Sequence, residues 1–290
     1  MTEIGSTGRR VVVTGAAGKL GRAVLADLAH HGWRVLALDR VRPAQAAGDW
    51  VVADLTDHGQ VLELLSGQTD EHPGRPDAVV HLAALPAPGL QPNSVTFANN
   101  VTSSWNVFQA ARLAGIRRVV WASSETVLGL PFDTPPPYIP VDEQYRPRPE
   151  TTYSLVKALE EEMAQHLCRW DPLLTMIGLR FSNVMEPADY ERFPDYDADP
   201  QLRSWNLWGY IDARDGAQAV RRALTVEVVG ADVFIIANAD TVMSRSSADL
   251  AAEVFPQVPV RKQLGRHETM LSIDKARRVL GYQPEHSWRG

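Results

Sequence analysis

The stretch Arg10-Val11-Val12-Val13-Thr14-Gly15-Ala16-Ala17-Gly18-Lys19-Leu20-Gly21 decides the fold. Its β-branched run reads as a buried strand, an amphipathic pattern over 20–31 reads as a helix, and the glycines fall in the turn between them. Gly15 permits the tight turn, Gly18 lets backbone approach a pyrophosphate, and Gly21 allows close packing of helix on sheet. The helix N-terminus offers free N–H groups and the positive end of its dipole to an anion. A glycine triplet alone equally marks a plain strand-to-helix turn. The setting selects a dinucleotide site, because an acidic residue, Asp39, ends the next strand 24 residues after Gly15. Its carboxylate is expected to accept hydrogen bonds from the adenosine ribose, which favours NAD. Arg40 and Arg42 keep NADP open, since an arginine there can hold a 2′-phosphate; both read equally as solvated surface.

The same alternation runs outward from this turn. Residues 35–39, 50–53, 78–81, 118–123, 174–181 and 233–237 read as strands. Residues 60–65, 94–114, 152–169, 215–224, 246–254 and 272–280 read as helices. Strands alternating with helices imply the α/β class: a Rossmann-type doubly wound parallel sheet, here with a small C-terminal substrate lobe. Expected boundaries are a flexible tail over 1–9, a dinucleotide-binding domain over 10–181, and a lobe over 182–290 interleaved with the last strands. Residues 130–149 carry seven prolines and are expected to form a loop over the sheet edge. Residues 187–208 form a polar, aromatic stretch without clear period.

Composition narrows the partners. The 290 residues hold 29 Lys+Arg against 35 Asp+Glu, a formal charge of −6, which argues against the concentrated basic face that nucleic acid requires. A lone cysteine, Cys168, excludes an intrachain disulfide and a thiolate zinc cluster, and no metal is expected. No apolar run approaches membrane-spanning length, and the N-terminus lacks the apolar core of a signal peptide, so a cytoplasmic location is expected.

A second constellation carries chemistry. Tyr153 and Lys157 lie four apart, on one helix face, where an ammonium that stabilises the phenolate lowers the tyrosine pKa. Alone the pair is a common chance occurrence. It gains weight from Trp121-Ala122-Ser123-Ser124-Glu125-Thr126-Val127-Leu128-Gly129, where a strand ends in two hydroxyl residues facing the crevice beyond the strand C-termini.

With these residues in place the chain resembles the extended short-chain dehydrogenase/reductases, a group that includes sugar-nucleotide epimerases, dehydratases and uronate dehydrogenases. The resemblance covers residues 10–289. It is carried by Thr14 to Gly21, Asp39, Asp54-Leu55, His81-Leu82-Ala83-Ala84, Asn99-Asn100-Val101, Ser123-Ser124, Tyr153 with Lys157, and Leu179-Arg180-Phe181-Ser182-Asn183-Val184. It implies that Gly15, Ala17, Gly18, Lys19, Leu20 and Gly21 hold the cofactor phosphates, with Asp39 and Arg40 at the adenosine ribose. It places Asp54 and Leu55 beside the adenine, Leu82 to Ala84 along the ribose and pyrophosphate, and Asn99 near the nicotinamide half. Tyr153 is implied as catalytic acid/base. Lys157 is implied to hold the nicotinamide ribose and depress the Tyr153 pKa, and Ser124 to orient the substrate oxygen, with Ser123 beside it. Asn183 and Val184 would bound the substrate end of the cofactor pocket, Val184 on the cofactor side and Asn183 on the substrate side.

Two departures bear on the substrate. Only 32 positions separate Asn183 from Asp215, short for a lobe that grips a nucleotide, which points to a smaller substrate. Arg203 stands five residues before Trp208, a spacing similar to the uronate dehydrogenases, where such an arginine pairs with a sugar carboxylate. A surface salt bridge to Asp195, Asp197 or Asp199 is the plainer reading of Arg203, as lobe core is of Trp205 and Trp208. Leu128 stands where many members carry a tyrosine.

Three function classes follow: an NAD-dependent dehydrogenase of a small carbohydrate or sugar acid, a sugar-nucleotide epimerase, isomerase or dehydratase with tightly held NAD, and a non-catalytic dinucleotide sensor. The complete Ser124, Tyr153 and Lys157 set argues against the last. The resemblance also implies a homodimer through helices 94–114 and 152–169.

Overall fold

The computed structural model describes residues 8–290, so the expected tail over 1–9 falls almost wholly outside the described residues. The strands are β1 (Arg10–Thr14), β2 (Arg34–Asp39), β3 (Asp49–Val52), β4 (Ala78–His81), β5 (Arg118–Ser124), β6 (Thr175–Phe181), β7 (Val184–Met185), β8 (Ile211–Asp212) and β9 (Gly230–Ile236). The helices are α1 (Lys19–His30), α2 (His58–Ser66), α3 (Asn93–Leu113), α4 (Thr152–Trp170), α5 (Gln201–Ser204), α6 (Ala213–Thr225), α7 (Ser247–Val254) and α8 (Asp274–Leu280). All strands but β7 and β8 join one seven-stranded sheet in the order β3-β2-β1-β4-β5-β6-β9, with every neighbouring pair parallel.

The strand pleat assigns the two cores. Val11 and Val13 face α1 and α6, whereas Val12 between them faces α2, α3 and α4, as a period of two requires. Burial on both faces explains why these strands read as apolar runs rather than alternations. The order reverses between β1 and β4, so their C-terminal ends open a crevice with the glycine turn on one lip and β4, β5 on the other.

The proline-rich segment 130–149 does cover the sheet edge, for Glu143 Oε1 accepts the Ile235 N–H of edge strand β9 at 2.8 Å. It is more ordered than a bare loop, since Ile139 bridges to Val260 and Val141 to Leu271. Beyond β6 the chain packs an aromatic core in which the Phe193 ring lies 5.2 Å from both Tyr190 and Tyr210. Residues 187–208 include a 3-10 helix, Pro187–Ala198, and the single turn α5, which no sequence period announces. Helix α6 starts ahead of the expected position because Asp212 caps it, its carboxylate accepting the Arg214 N–H at 2.8 Å. Among the described residues no helix is long and apolar enough to cross a membrane, and no cluster of His, Cys, Asp or Glu is arranged to hold a metal ion.

Candidate active site

A cavity of about 1000 Å³ fills the crevice. Its floor is the glycine turn, where space is tight. A Cβ on Gly15, at φ +69°, would stand 2.6 Å from the Ala83 nitrogen, and one on Gly21 2.2 Å from the Gly15 carbonyl. Gly18 is the N-cap of α1 and offers no side chain to its first amides, leaving them directed at the cavity for an anion. Asp39 Oδ2 accepts the Ala17 N–H at 2.9 Å, which ties the end of β2 to the turn. A bare-backbone cradle ending in a carboxylate fits a dinucleotide with free ribose hydroxyls. Ala17, Lys19 and Leu20 line this end, as do Leu82, Ala83 and Ala84 opposite.

Three expected placements need correction. Asp54 is not on the cavity wall: it accepts from Thr56 N at 2.9 Å and Thr56 Oγ1 at 2.8 Å, bonds that hold its carboxyl below the usual range, and Leu55 alone of that pair faces the cavity. Asn99 lines the cavity, but its Oδ1 accepts from Arg40 Nη2 at 2.6 Å, which puts the side chain at the β2 end rather than the nicotinamide half. Arg40 lines the cavity with its side chain 55% exposed, and it meets Asn99 and, at 3.5 Å, Asp54 through Nη2 alone, so Nε and Nη1 keep their donors. Ser123 lies at the wall with its hydroxyl proton given to Glu161 Oε1 at 2.6 Å, so it has no donor left for a substrate.

Ser124, Tyr153 and Lys157 converge on the other end. Thr151 begins α4 with a capping box, its hydroxyl accepting Ser154 N–H at 3.1 Å, and this fixes the first turn that carries Tyr153. Lys157 Nζ stands 5.9 Å from the Tyr153 ring centre. It donates to the Ala122 carbonyl at 2.8 Å and to both Glu160 oxygens, Oε2 at 2.9 Å and Oε1 at 3.2 Å. One proton shared between the two carboxylate oxygens leaves one donor for the site.

Burial outweighs the lowering that Lys157 is expected to bring and does bring, and the net direction of the Tyr153 pKa is upward. Burial is the largest cause; the Lys157 charge and the Ser124 hydroxyl oppose it, while the Glu160 and Glu125 carboxylates add to it. Lys157 is not a lone cation here but half of a buried ion pair. Glu160 is held above the carboxylate range by burial and Lys157 above the lysine range by Glu160, the directions expected of a dry pair.

Behind that pair runs a one-way hydrogen-bond chain. Glu160, an acceptor only, takes the Ser104 hydroxyl proton at 2.7 Å. Ser104 Oγ must then accept from His81 Nε2 at 3.1 Å, and His81 Nδ1 accept from Thr14 Oγ1 at 2.8 Å, whose oxygen faces the Leu82 and Ala83 N–H groups. Burial holds His81 neutral, its pKa down to about 3, which the single-tautomer chain requires. The chain joins Lys157 to Thr14, the residue preceding Gly15. Glu161, next to Glu160, binds Arg180 through two bonds of 2.9 and 2.7 Å. Sequence reasoning named neither glutamate, although both lie at helical spacing from Lys157.

Glu160→Gln is expected to move the acid limb of the oxidation rate to lower pH by about one unit, because Lys157 then acts on Tyr153 uncompensated. The charged groups facing the phenol are Lys157, Glu160 and Glu125. A pH profile that does not move removes Glu160 from the tuning of Tyr153.

Asn183 and Val184 line the substrate end, together with Trp205 and Ser182. Arg203 does not. Its side chain is 6% exposed, Nη2 donates to the Gly209 carbonyl at 2.8 Å, and the guanidinium sits 4.9 Å from the Trp205 ring and 5.4 Å from Tyr196. The surface-bridge reading fails as well, for Asp197 and Asp199 instead accept the Ser244 and Gln201 amides. Trp208 is core and Trp205 cavity wall.

A seven-stranded parallel sheet, a glycine-turn dinucleotide cradle and a Ser-Tyr-Lys set at the crevice define an NAD-dependent short-chain dehydrogenase/reductase of the extended type. The profile of the NAD dependent epimerase/dehydratase family matches residues 11–237, and the chain belongs to that family. UDP-glucose 4-epimerase 2 of Oryza sativa subsp. japonica is 31% identical over 237 residues, 75% of this chain and 54% of that protein, so the chain spans about half the length of this relative. UDP-glucose 4-epimerase of Rhizobium leguminosarum bv. trifolii is 27% identical over 320 positions, covering 96% of this chain and 94% of that one. NAD-dependent glucose-6-phosphate dehydrogenase of Haloferax volcanii is 28% identical over 199 residues, 63% of this chain and 72% of that protein. Among solved structures, a mutated uronate dehydrogenase superposes with a TM-score of 0.67 at 23% identity, covering 97% of this chain and 83% of the other, a likeness of fold. A protein solved with UDP-glucose and NAD superposes with a TM-score of 0.69 at 25% identity, over 97% and 95% of the two chains.

Proposed function

We propose that the protein oxidises a secondary or ring hydroxyl of a small polyhydroxylated substrate, with NAD as acceptor and Tyr153 as base. One observation carries the substrate size: every residue lining the cavity lies at or before Trp205 in the chain, and the segment from Asn206 onward contributes none. A nucleotide-gripping lobe would place its own side chains on that wall. The 320-position alignment to the Rhizobium epimerase exceeds the 290 residues of this chain, so that relative carries stretches with no counterpart here. A second reading, a UDP-sugar 4-epimerase, is favoured by the names of the curated relatives.

The chain's own groups divide the work. The glycine turn and α1 amides take the pyrophosphate, Asp39 the adenosine ribose, and the remaining Lys157 donor the nicotinamide ribose. Bound NAD supplies the acceptor for the carbon-borne hydride and a cationic ring that favours phenolate. Ser124 holds the substrate oxygen while Tyr153 removes its proton, and the result is a carbonyl. A dehydrogenase releases that carbonyl; an epimerase reduces it again.

NAD should bind more tightly than NADP. Asp39→Ala is expected to raise the NADP-to-NAD affinity ratio about tenfold in calorimetry, since one repelling charge leaves the ribose site. Tighter NADP binding by the unaltered protein removes the ribose role from Asp39. We further propose a homodimer through α3 and α4, whose Phe97, Trp105, Leu155 and Leu159 stand exposed. A monomer mass in light scattering refutes it.

A further inference from the structure

The wall beside Ser124 holds a buried polar cluster drawn from three separate parts of the chain. Glu125, directly after β5, is 3% exposed and lines the cavity. Its Oε1 accepts from Asn206 Nδ2 at 3.1 Å, and the Arg203 guanidinium behind acts on it by charge. Ser182, after β6, and the Asn183 amide face the same carboxyl. Glu125 Oε2 and Ser182 Oγ, both on residues that line the cavity, have no hydrogen-bond partner within the protein by geometry, and Arg203 Nε and Asn206 Oδ1, also without one, lie behind that wall. Such atoms are costly unless something completes them, and buried ones in native proteins are few. The two on the wall are a carboxylate acceptor and a hydroxyl able to donate or accept, which match a guest hydroxyl that gives a hydrogen bond to one and takes one from the other. A carboxylate guest only accepts, and it would meet Glu125 first, with Arg203 reachable only behind that carboxyl.

We infer that Glu125 is the specificity-determining residue of the substrate site, receiving a hydroxyl group of a neutral polyhydroxylated substrate and rejecting a carboxylate at the same position. Arg203 serves as the counter-charge that keeps Glu125 in place, not as the grip on a sugar acid. Burial lifts Glu125 to about 7 against the pull of Ser182, Asn206 and Arg203, so near neutrality it both donates and accepts. This choice of neutral over acidic substrate rests on the small-substrate reading for its ligand class but is tested separately from it.

The test uses two matched pairs on the NAD-supplied protein, D-glucose with D-glucuronate and UDP-glucose with UDP-glucuronate, scored by kcat and KM or, for interconversion, by product analysis. In the unaltered protein the neutral member of the accepted pair is expected to exceed the acid member in kcat/KM by about tenfold or more. Glu125→Gln should bring the two to within about threefold, through a higher KM for the neutral member and a lower KM for the acid, with NAD affinity kept. A preference for the acid member, an unchanged ratio in Glu125→Gln, or binding of none of the four compounds overturns the inference. If Glu125→Gln does not fold, Glu125→Asp decides: it keeps the charge, so it should still reject the acid while its neutral KM rises, and equal use of both contradicts the assignment. Acceptance of the UDP pair alone defeats the small-substrate reading and leaves the neutral-to-acid ratio in that pair to judge Glu125.

Discussion

Tyr153→Phe is expected to lower kcat by about 10²- to 10⁴-fold while leaving NAD affinity within a factor of about two. The substitution deletes one oxygen, at a ring that is buried and packed by the capped first turn of α4, so the Ser124 hydroxyl loses a partner while the glycine cradle is untouched. Besides Tyr153, the titratable side chains lining that end are Glu125 and Lys157, and the phenylalanine variant leaves both in place. Because burial and two carboxylates raise the Tyr153 pKa, the oxidation rate should rise with pH across the neutral and alkaline range, and the phenylalanine variant should lose that rise. Stopped-flow or steady-state NADH formation measures both. A variant that keeps most of its turnover removes Tyr153 from the chemistry.

Glu161→Ala should cost about 3–5 kcal/mol of stability, the toll of leaving a buried charge without its partner. Arg180 is 2% exposed, it meets both Glu161 oxygens, and its Nη1 has no protein partner even in the intact pair. Loss of Glu161 also frees the Ser123 hydroxyl at the end of β5, beside Ser124. Urea unfolding followed by tryptophan fluorescence should show the midpoint fall with little change in slope. A loss below about 1 kcal/mol would mean that Arg180 finds water, and that the pair does not hold β5, β6 and α4 together.

Much of the fold is legible in the residues. The Ala78–His81 strand reads with its true boundaries because a strand buried on both faces is an unbroken apolar run, and the long helices differ by a residue or so at each end. The two-residue strands β7 and β8 carry no period at all, and the 3-10 helix Pro187–Ala198 follows from tertiary packing of Tyr190 and Phe193. The glycine turn, Asp39, Ser124, Tyr153 and Lys157 meet in one crevice because the strand ends of a parallel sheet all open the same way. What failed to read was environment. The direction of the Tyr153 pKa depends on a neighbouring charge three residues past Lys157 and on burial, which spacing alone does not report. Arg203 looked like a hand for a carboxylate because its spacing was visible, while Glu125, distant in sequence, was visible only as a strand-end residue. Asn99 and Asp54 were assigned by motif position, and their local partners Arg40 and Thr56 redirected them.

The most direct measurement mixes the purified protein with NAD and the separate members of a panel of free neutral sugars, uronates and UDP-sugars, following NADH absorbance together with product analysis. Net NADH formation with a free neutral sugar, absent in Tyr153→Phe, is the expected result. Silent interconversion of a UDP-sugar, with UDP bound in the cleft at micromolar affinity and no NADH from any free sugar, would contradict it and establish the epimerase reading.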